Sequence, residues 1–162
     1  MCSKLPRLVF GFHGCGQSVS DKVVRQGGEL DFSTNDYDWL GSGIYFWENS
    51  VGRAWEWARE SKQVNTPAVI GSVIDLGHRL NLTDKEYTTI LASEHQIMEL
   101  EYDEAGIEMP RNVGKTQDKL LRKLDCAVIE RLNQFYDGTW QRFDSARGLS
   151  RYQVSRGEAG GA

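Results

Sequence analysis

The stretch WLGSGIYFWENSVGRAWEWA, residues 39–58, holds four of the chain's five tryptophans together with Tyr45. Its first half alternates in the period-2 manner of a strand. Across SGIYFW, Ile44 and Phe46 share one face and Tyr45 takes the other. Its second half, SVGRAWEWARESK, reads as a helix with Ser50 as the candidate N-cap, and Gly52 weakens the first turn. Gly41 and Gly43 precede the tyrosine, and glycine lets a backbone turn sharply or approach a ligand closely. A tyrosine offers a flat apolar ring with a polar tip, suited to stacking on a heterocycle. Aromatics at strand and helix spacing also fill cores, so this stretch alone supports either use.

Upstream, PRLVFGFHGC reads as a first strand, with Leu8, Phe10 and Phe12 on one face and Val9 on the other. It ends on His13 and Gly14 and enters a loop with Gly16. There the glycine peptide groups can approach a ligand, and the histidine can bond a sugar hydroxyl. SDKVVRQGG is a short helix, with Ser20 as cap and Gly27 and Gly28 as its stop. ELDFSTNDYD is a polar loop. Downstream, PAVIGSVIDL is a buried-type strand. A helix follows, opened by a capping box of Thr83 and Glu86, with Ile90, Leu91, Ile97, Met98 and Tyr102 near helical spacing. QDKLLRKLDCAVIERLNQFYDG is the clearest helix. Leu120, Leu121, Leu124, Ala127, Val128 and Leu132 form its stripe, and Gly138 is its stop.

The chain has 162 residues and a net charge of −4. The length suits one domain, and the charge disfavours non-specific nucleic-acid binding. No apolar run reaches membrane-spanning length, and the first ten residues lack the apolar core of a signal peptide, so a cytoplasmic protein without membrane association is expected. Cys2, Cys15 and Cys126 form neither an even set nor a CxxC pair, which argues against disulfides and zinc. His78 and His95 are expected to be structural or solvated. The expected class is α+β: a mixed, largely antiparallel split sheet with packed helices. Residues 1–148 read as one domain, and 149–162 as a short C-terminal segment, mobile or incomplete.

His13 and Gly14 on a first strand, followed by Gly41, Gly43, Ile44, Tyr45, Phe46 and Ala54, resemble the diphtheria-toxin-like and poly(ADP-ribose)-polymerase-like ADP-ribosyltransferases. The resemblance spans roughly residues 7 to 60. It implies NAD as co-substrate and no metal. His13 would hydrogen-bond the adenine-side ribose, and Gly14 would hold the nicotinamide carboxamide through its N–H and C=O. Gly43 would border the pocket, and Tyr45 would stack on the nicotinamide. Trp55 or Trp57 would close the other face. Arg53 falls where related enzymes often carry a serine. Asp31, Asp36 and Asp38 would border the donor pocket and bear on acceptor choice.

The resemblance also implies a third catalytic position on a late strand, usually glutamate, where a polar group steadies the ribose hydroxyl and the developing charge. SRYQVS is the late segment with strand-like alternation, which makes Gln153 the candidate, ahead of Glu158. The implied activity is mono-ADP-ribosyl transfer, with release of nicotinamide, to a protein or nucleic-acid acceptor. The small size suggests a bacterial toxin or phage-defence effector, with an antitoxin or immunity protein as partner. Two alternatives stand beside it. One is a catalytically impaired NAD- or ADP-ribose-binding module. The other is an enzyme like the RNA 2′-phosphotransferases, whose arginine-rich phosphate site is not evident around Tyr45.

Overall fold

The computed structural model describes residues 8–60, 64–114 and 121–149. Among these residues the fold is α+β, with four helices, a three-stranded antiparallel sheet and a separate parallel strand pair. The first sheet has the order β2-β1-β3, built from β1 (Leu8–Gly16), β2 (Trp47–Glu48) and β3 (Pro67–Asp75). β1 pairs with β3 along its whole length, Leu8 opposite Asp75 and Gly16 opposite Pro67. β2 adds only Phe12 opposite Trp47 and Gly11 opposite Glu48.

Helices cover both faces of this sheet. α1 (Gln17–Gln26) continues directly from β1 and packs Val19 and Val23, with Leu30, on Cys15, Ala68 and Ile70. It starts three residues before Ser20, the expected cap, because Gly16 takes the cap position and the Gln17 N–H bonds the Thr66 carbonyl at 2.8 Å. Its end is as expected, on Gly27 in the left-handed conformation. α2 (Val51–Glu60) lies on the other face and buries Ala54 and Ala58. A Cβ at Gly14 would run into the Ala54 carbonyl oxygen, so the missing side chain sets how closely α2 seats on the strand. The strand face read as apolar is partly open: Leu8 and Phe10 are exposed, beyond the reach of α2, while Cys15 on the opposite face is buried.

A second core lies around α4 (Lys123–Tyr136), where Leu80, Ile129 and Leu132 are buried among Tyr87, Ile90, Leu91 and Phe143. β4 (Arg79–Asn81) pairs in parallel with β5 (Ser145–Arg147) beside it. Neither three-residue strand is long enough to show alternation, and the sequence reading contained neither. α3 (Lys85–Ala105) ends on left-handed Gly106 and is capped by Asp84, whose carboxylate accepts from the Glu86 N–H at 3.0 Å. The expected cap, Thr83, instead turns its hydroxyl to the Asn81 side chain. α4 begins later than the stripe suggested, since Leu121 forms an isolated bridge with Val113. Leu120 lies outside the described residues.

Candidate functional site

The segment expected as a strand through Tyr45 becomes one only at Trp47. The cause is His13. Its Nδ1 lies 2.8 Å from the Tyr45 carbonyl oxygen. A carbonyl can only accept, so Nδ1 carries the proton and, in the neutral ring, Nε2 is left as an acceptor. The carbonyl that a continued β1–β2 ladder would use is thus taken by a side chain.

The consequence falls on Gly14. The Asn49 N–H bonds the Phe10 carbonyl at 2.8 Å, and the register continues through Phe12 opposite Trp47. Peptide groups alternate between the two edges of a strand. Those of Phe10, Phe12 and Gly14 therefore face the β2 edge, and pairing stops at Phe12. The N–H and C=O of Gly14 thus face the β2 edge beyond the last paired residue.

Tyr45 is held by its tip. Its hydroxyl donates to the Gly41 carbonyl at 2.7 Å and accepts from the Leu40 N–H at 3.1 Å. Burial pushes its pKa well above the usual tyrosine range. The Leu40 bond opposes this, and the carboxylates of Asp38 and Glu130 add to it. The phenol stays neutral, with its hydroxyl committed to the loop backbone. Phe46 packs beside the His13 ring, with centroids 5.8 Å apart.

The loop that carries Tyr45 is fastened at several points. Ser33 and Gly43 exchange backbone hydrogen bonds at 2.9 and 3.0 Å. Asp38 accepts from the Ser33 hydroxyl at 2.5 Å and the Asn35 N–H at 3.1 Å. Glu130, on α4, accepts from the Ser42 N–H. Gly41 has φ 80°, and a Cβ there would press on the Glu130 carboxylate and Ile129, so two constraints demand glycine. Gly43 is different: a Cβ would meet nothing within 4 Å, and its N–H is already bonded to Ser33. Only its lack of a side chain is left to serve a ligand.

The structure brings the His13 side chain against the Tyr45 backbone, with Gly14 next to His13 in the chain. Trp55 and Trp57 cannot both join them. Two residues apart on a helix is about 200° of rotation, so the two flank the buried Ala54–Ala58 stripe on opposite sides. Trp55 is covered by the Arg59 guanidinium, 5.3 Å from its ring centre, and Trp57 is half exposed. Arg53, at the position of the family's serine, pairs with Glu56 at 3.2 Å. Gln153 and Glu158 lie outside the described residues. Each of the three loop aspartates has a partner: Asp31 pairs with Lys22, Asp36 pairs with Lys123, and Asp38 holds its own loop.

Two concavities lie away from the His13–Tyr45 pair. One of about 470 Å³ separates α3 from α4 and is lined by Leu91, His95, Val128 and Ile129. The other, of about 320 Å³, is lined by Val9, Glu48, Arg79 and Arg147. The carboxylate of Glu48, unremarked in the sequence, takes a two-pronged bond from Arg147 on β5, Nε at 2.5 Å and Nη2 at 3.4 Å. An acidic residue directly after the aromatic strand was the signal available for it.

The other reactive side chains serve the fold. Burial raises the pKa of Cys15 and Cys126, so both thiols are protonated and poor nucleophiles. His78 stacks on Phe143 with Nδ1 on the Arg142 carbonyl, and His95 faces Glu99. Among the described residues no group of three or more metal-ligating side chains converges, and no helix is long and apolar enough to cross a membrane. Compared with protein-family models, curated proteins and solved structures, the chain matches none.

Proposed function

We propose that the chain is an NAD-dependent mono-ADP-ribosyltransferase, with a protein or nucleic-acid acceptor. The observation that carries this reading is the edge left open at Gly14. The N–H and C=O on that edge would form a bracket for a planar carboxamide, with the Tyr45 ring, held by its tip, to lie against it. The N–H meets the amide oxygen, the C=O meets the amide nitrogen, and Tyr45 lies against the ring. His13 contributes twice. Its Nδ1–H keeps the Tyr45 carbonyl from closing the bracket, and its Nε2 accepts from a ribose hydroxyl.

The chemistry follows from the ligand. Nicotinamide leaves as a neutral molecule when its bond to ribose C1′ breaks, and the ribose passes through an oxocarbenium-like state. Holding the two ends of the dinucleotide in a fixed bend favours that state over unreactive conformers.

The test is NAD labelled in the adenosine portion, incubated with separate protein, RNA and DNA pools. Nicotinamide release with label on one pool supports the transferase and names the acceptor class. Binding without release supports a non-catalytic NAD-binding module. His13→Ala and Tyr45→Ala should each weaken NAD binding by about 1–3 kcal/mol while the fold persists. Parent-like titration of both variants refutes the placement of the site.

A further inference from the structure

The smaller concavity, of about 320 Å³, lies away from His13 and Tyr45 and holds a positive charge that the fold leaves unanswered. On β4 and β5, Leu80 and Ala146 turn into the α4 core. Side chains alternate along a strand. With Arg79 opposite Ser145 and Asn81 opposite Arg147, the two arginines therefore share the other face, and both line the concavity. Arg147 is engaged there, its Nε and Nη2 bonded to Glu48. Arg79 is partly buried, yet among the described residues its guanidinium has neither an ion pair nor a hydrogen bond. The flanking carboxylates are committed elsewhere: Asp75 accepts from the Gly77 N–H at 3.0 Å, and Asp144 from the His78 N–H at 2.8 Å. Asn49 ends β2 with φ 52° and gives its N–H to the Phe10 carbonyl. Its side-chain amide is a second unbonded polar group of the lining among the described residues. A guanidinium kept partly from water without a counterion carries a desolvation cost that a bound anion offsets.

We propose that this concavity binds a small organic monocarboxylate with an apolar or aromatic body, at a site separate from the NAD reading above and independent of it. The Arg79 fork matches the two oxygens of a carboxylate, and the Asn49 amide donates a further bond. The charge of the lining selects the head group. Two guanidiniums and one carboxylate leave a single positive charge, which one carboxylate balances. A phosphate dianion would bring a second negative charge against Glu48. Leu8 and Phe10 select the body. Each is 62% exposed, and an apolar group laid on them removes that surface from water. The volume is near the lower end of the range for small-molecule sites, which suits a ligand of amino-acid size rather than a dinucleotide.

The test is titration of the full chain with phenylacetate, its neutral amide phenylacetamide, and inorganic phosphate, followed by the amide NMR shifts of Phe10, Asn49 and Arg79. Phenylacetate should bind at least about tenfold more tightly than phenylacetamide, and more tightly than phosphate. Arg79→Gln should weaken phenylacetate about tenfold or more and leave the melting temperature at the parent's value, since no bond of the fold is lost. Asn49→Gly keeps the left-handed backbone and removes only the amide, and should weaken binding about threefold. Phe10→Ala should cost about threefold for phenylacetate and nothing for acetate. His13→Ala should titrate with phenylacetate like the parent.

Equal binding of the acid and its amide overturns the proposal, as does a parent that binds neither. Parent-like titration of Arg79→Gln overturns it too. Phosphate binding more tightly than phenylacetate overturns the carboxylate class. Binding lost in His13→Ala but kept in Arg79→Gln places the ligand at the other site and overturns this one. If Arg79→Gln does not fold, Asn49→Gly and Phe10→Ala decide: weaker binding in both supports the site, and unchanged binding in both overturns it.

Discussion

Around α4 the groups that hold the fold are apolar and closed to water: Leu80, Ile129 and Leu132, packed by a ring of larger side chains. Around β1 the buried set is Cys15, Ala68 and Ile70, and the loop across the strand's open edge is fastened by hydrogen bonds that Tyr45 and His13 donate and that Asp38 and Glu130 accept. The difference separates two tasks. Apolar packing gives stability without direction. Hydrogen bonds contribute less each, but they fix where a ring face or a peptide N–H points. The candidate site lies where direction matters, and the α4 half anchors it through Glu130, whose carboxylate reaches the loop from the far core.

The largest effect should come from breaking the apolar half. Leu132 is 2% exposed and among the largest fully buried side chains. Leu132→Ala should cost about 2–5 kcal/mol, the lost transfer energy plus the cavity left behind. The denaturant midpoint checks this. A shift below about 1 kcal/mol would mean that the two cores do not divide the work as described.

A smaller loss should follow Gly14→Ala, at about 1–3 kcal/mol. The obstacle is the backbone oxygen of Ala54, not a side-chain tip that could swing aside. Shortening Ala54 to glycine should therefore not rescue the variant. An unchanged unfolding midpoint for Gly14→Ala would show that α2 slides freely over β1, and that the close seating is not a constraint.

Both conclusions bear on what could be read from the chain alone. β1, α2 and β3 were legible because each is long enough to show its period or its stop. β4 and β5 were not, since three residues carry no period. Thr83 was read as a cap because the capping-box spacing fitted it, but Asp84 stands one residue closer to the helix and won the position. At the candidate site, the sequence brought His13 and Tyr45 into one reading, and the structure joins them through the Tyr45 carbonyl. Their mechanism of assembly was not legible, because a side chain taking a ladder carbonyl leaves no trace in hydrophobic alternation. The Glu48–Arg147 pair was not legible either, because its two residues lie 99 apart in the chain.

Tyr45→Phe tests the polar half directly. It deletes one hydroxyl with two partners, the Gly41 carbonyl and the Leu40 N–H, and should cost about 1–2 kcal/mol. Its pH signature is more specific. The folded-state pKa of Tyr45 is raised by burial, so between the unfolded and folded values the native state holds a proton that the unfolded chain has released. The stability contributed by the neutral, buried phenol is complete below about pH 10 and declines as pH rises above it. Melting curves at pH 8 and pH 11 should show the parent losing more stability than Tyr45→Phe. Equal losses in the two proteins would mean that the Tyr45 hydroxyl is open to water.

The smallest effect is expected at Asp31, and it sharpens the comparison by showing that not every polar contact near the site gives direction. Asp31 and Asp38 both belong to the acidic loop that the sequence associated with acceptor choice. Asp38 accepts from Ser33 and Asn35 and so shapes the turn that presents Gly41 and Tyr45. Asp31 reaches Lys22 at 3.3 Å across open surface, with 86% of its side chain exposed. An ion pair so exposed is screened by water and salt, and ordering its two side chains offsets much of the attraction. Asp31→Asn should therefore change stability by less than about 0.5 kcal/mol. NAD affinity should be unchanged, since no bond of the Tyr45 loop passes through Asp31. Asp38→Asn should be felt in both measurements, because the neutral amide keeps the shape but weakens the charge-assisted bonds to Ser33 and Asn35. Equal behaviour of the two variants would show that the loop is held by its overall charge rather than by the Asp38 contacts. A change of acceptor preference in Asp31→Asn alone, at constant stability and NAD affinity, would instead place the acceptor on the outer side of this loop.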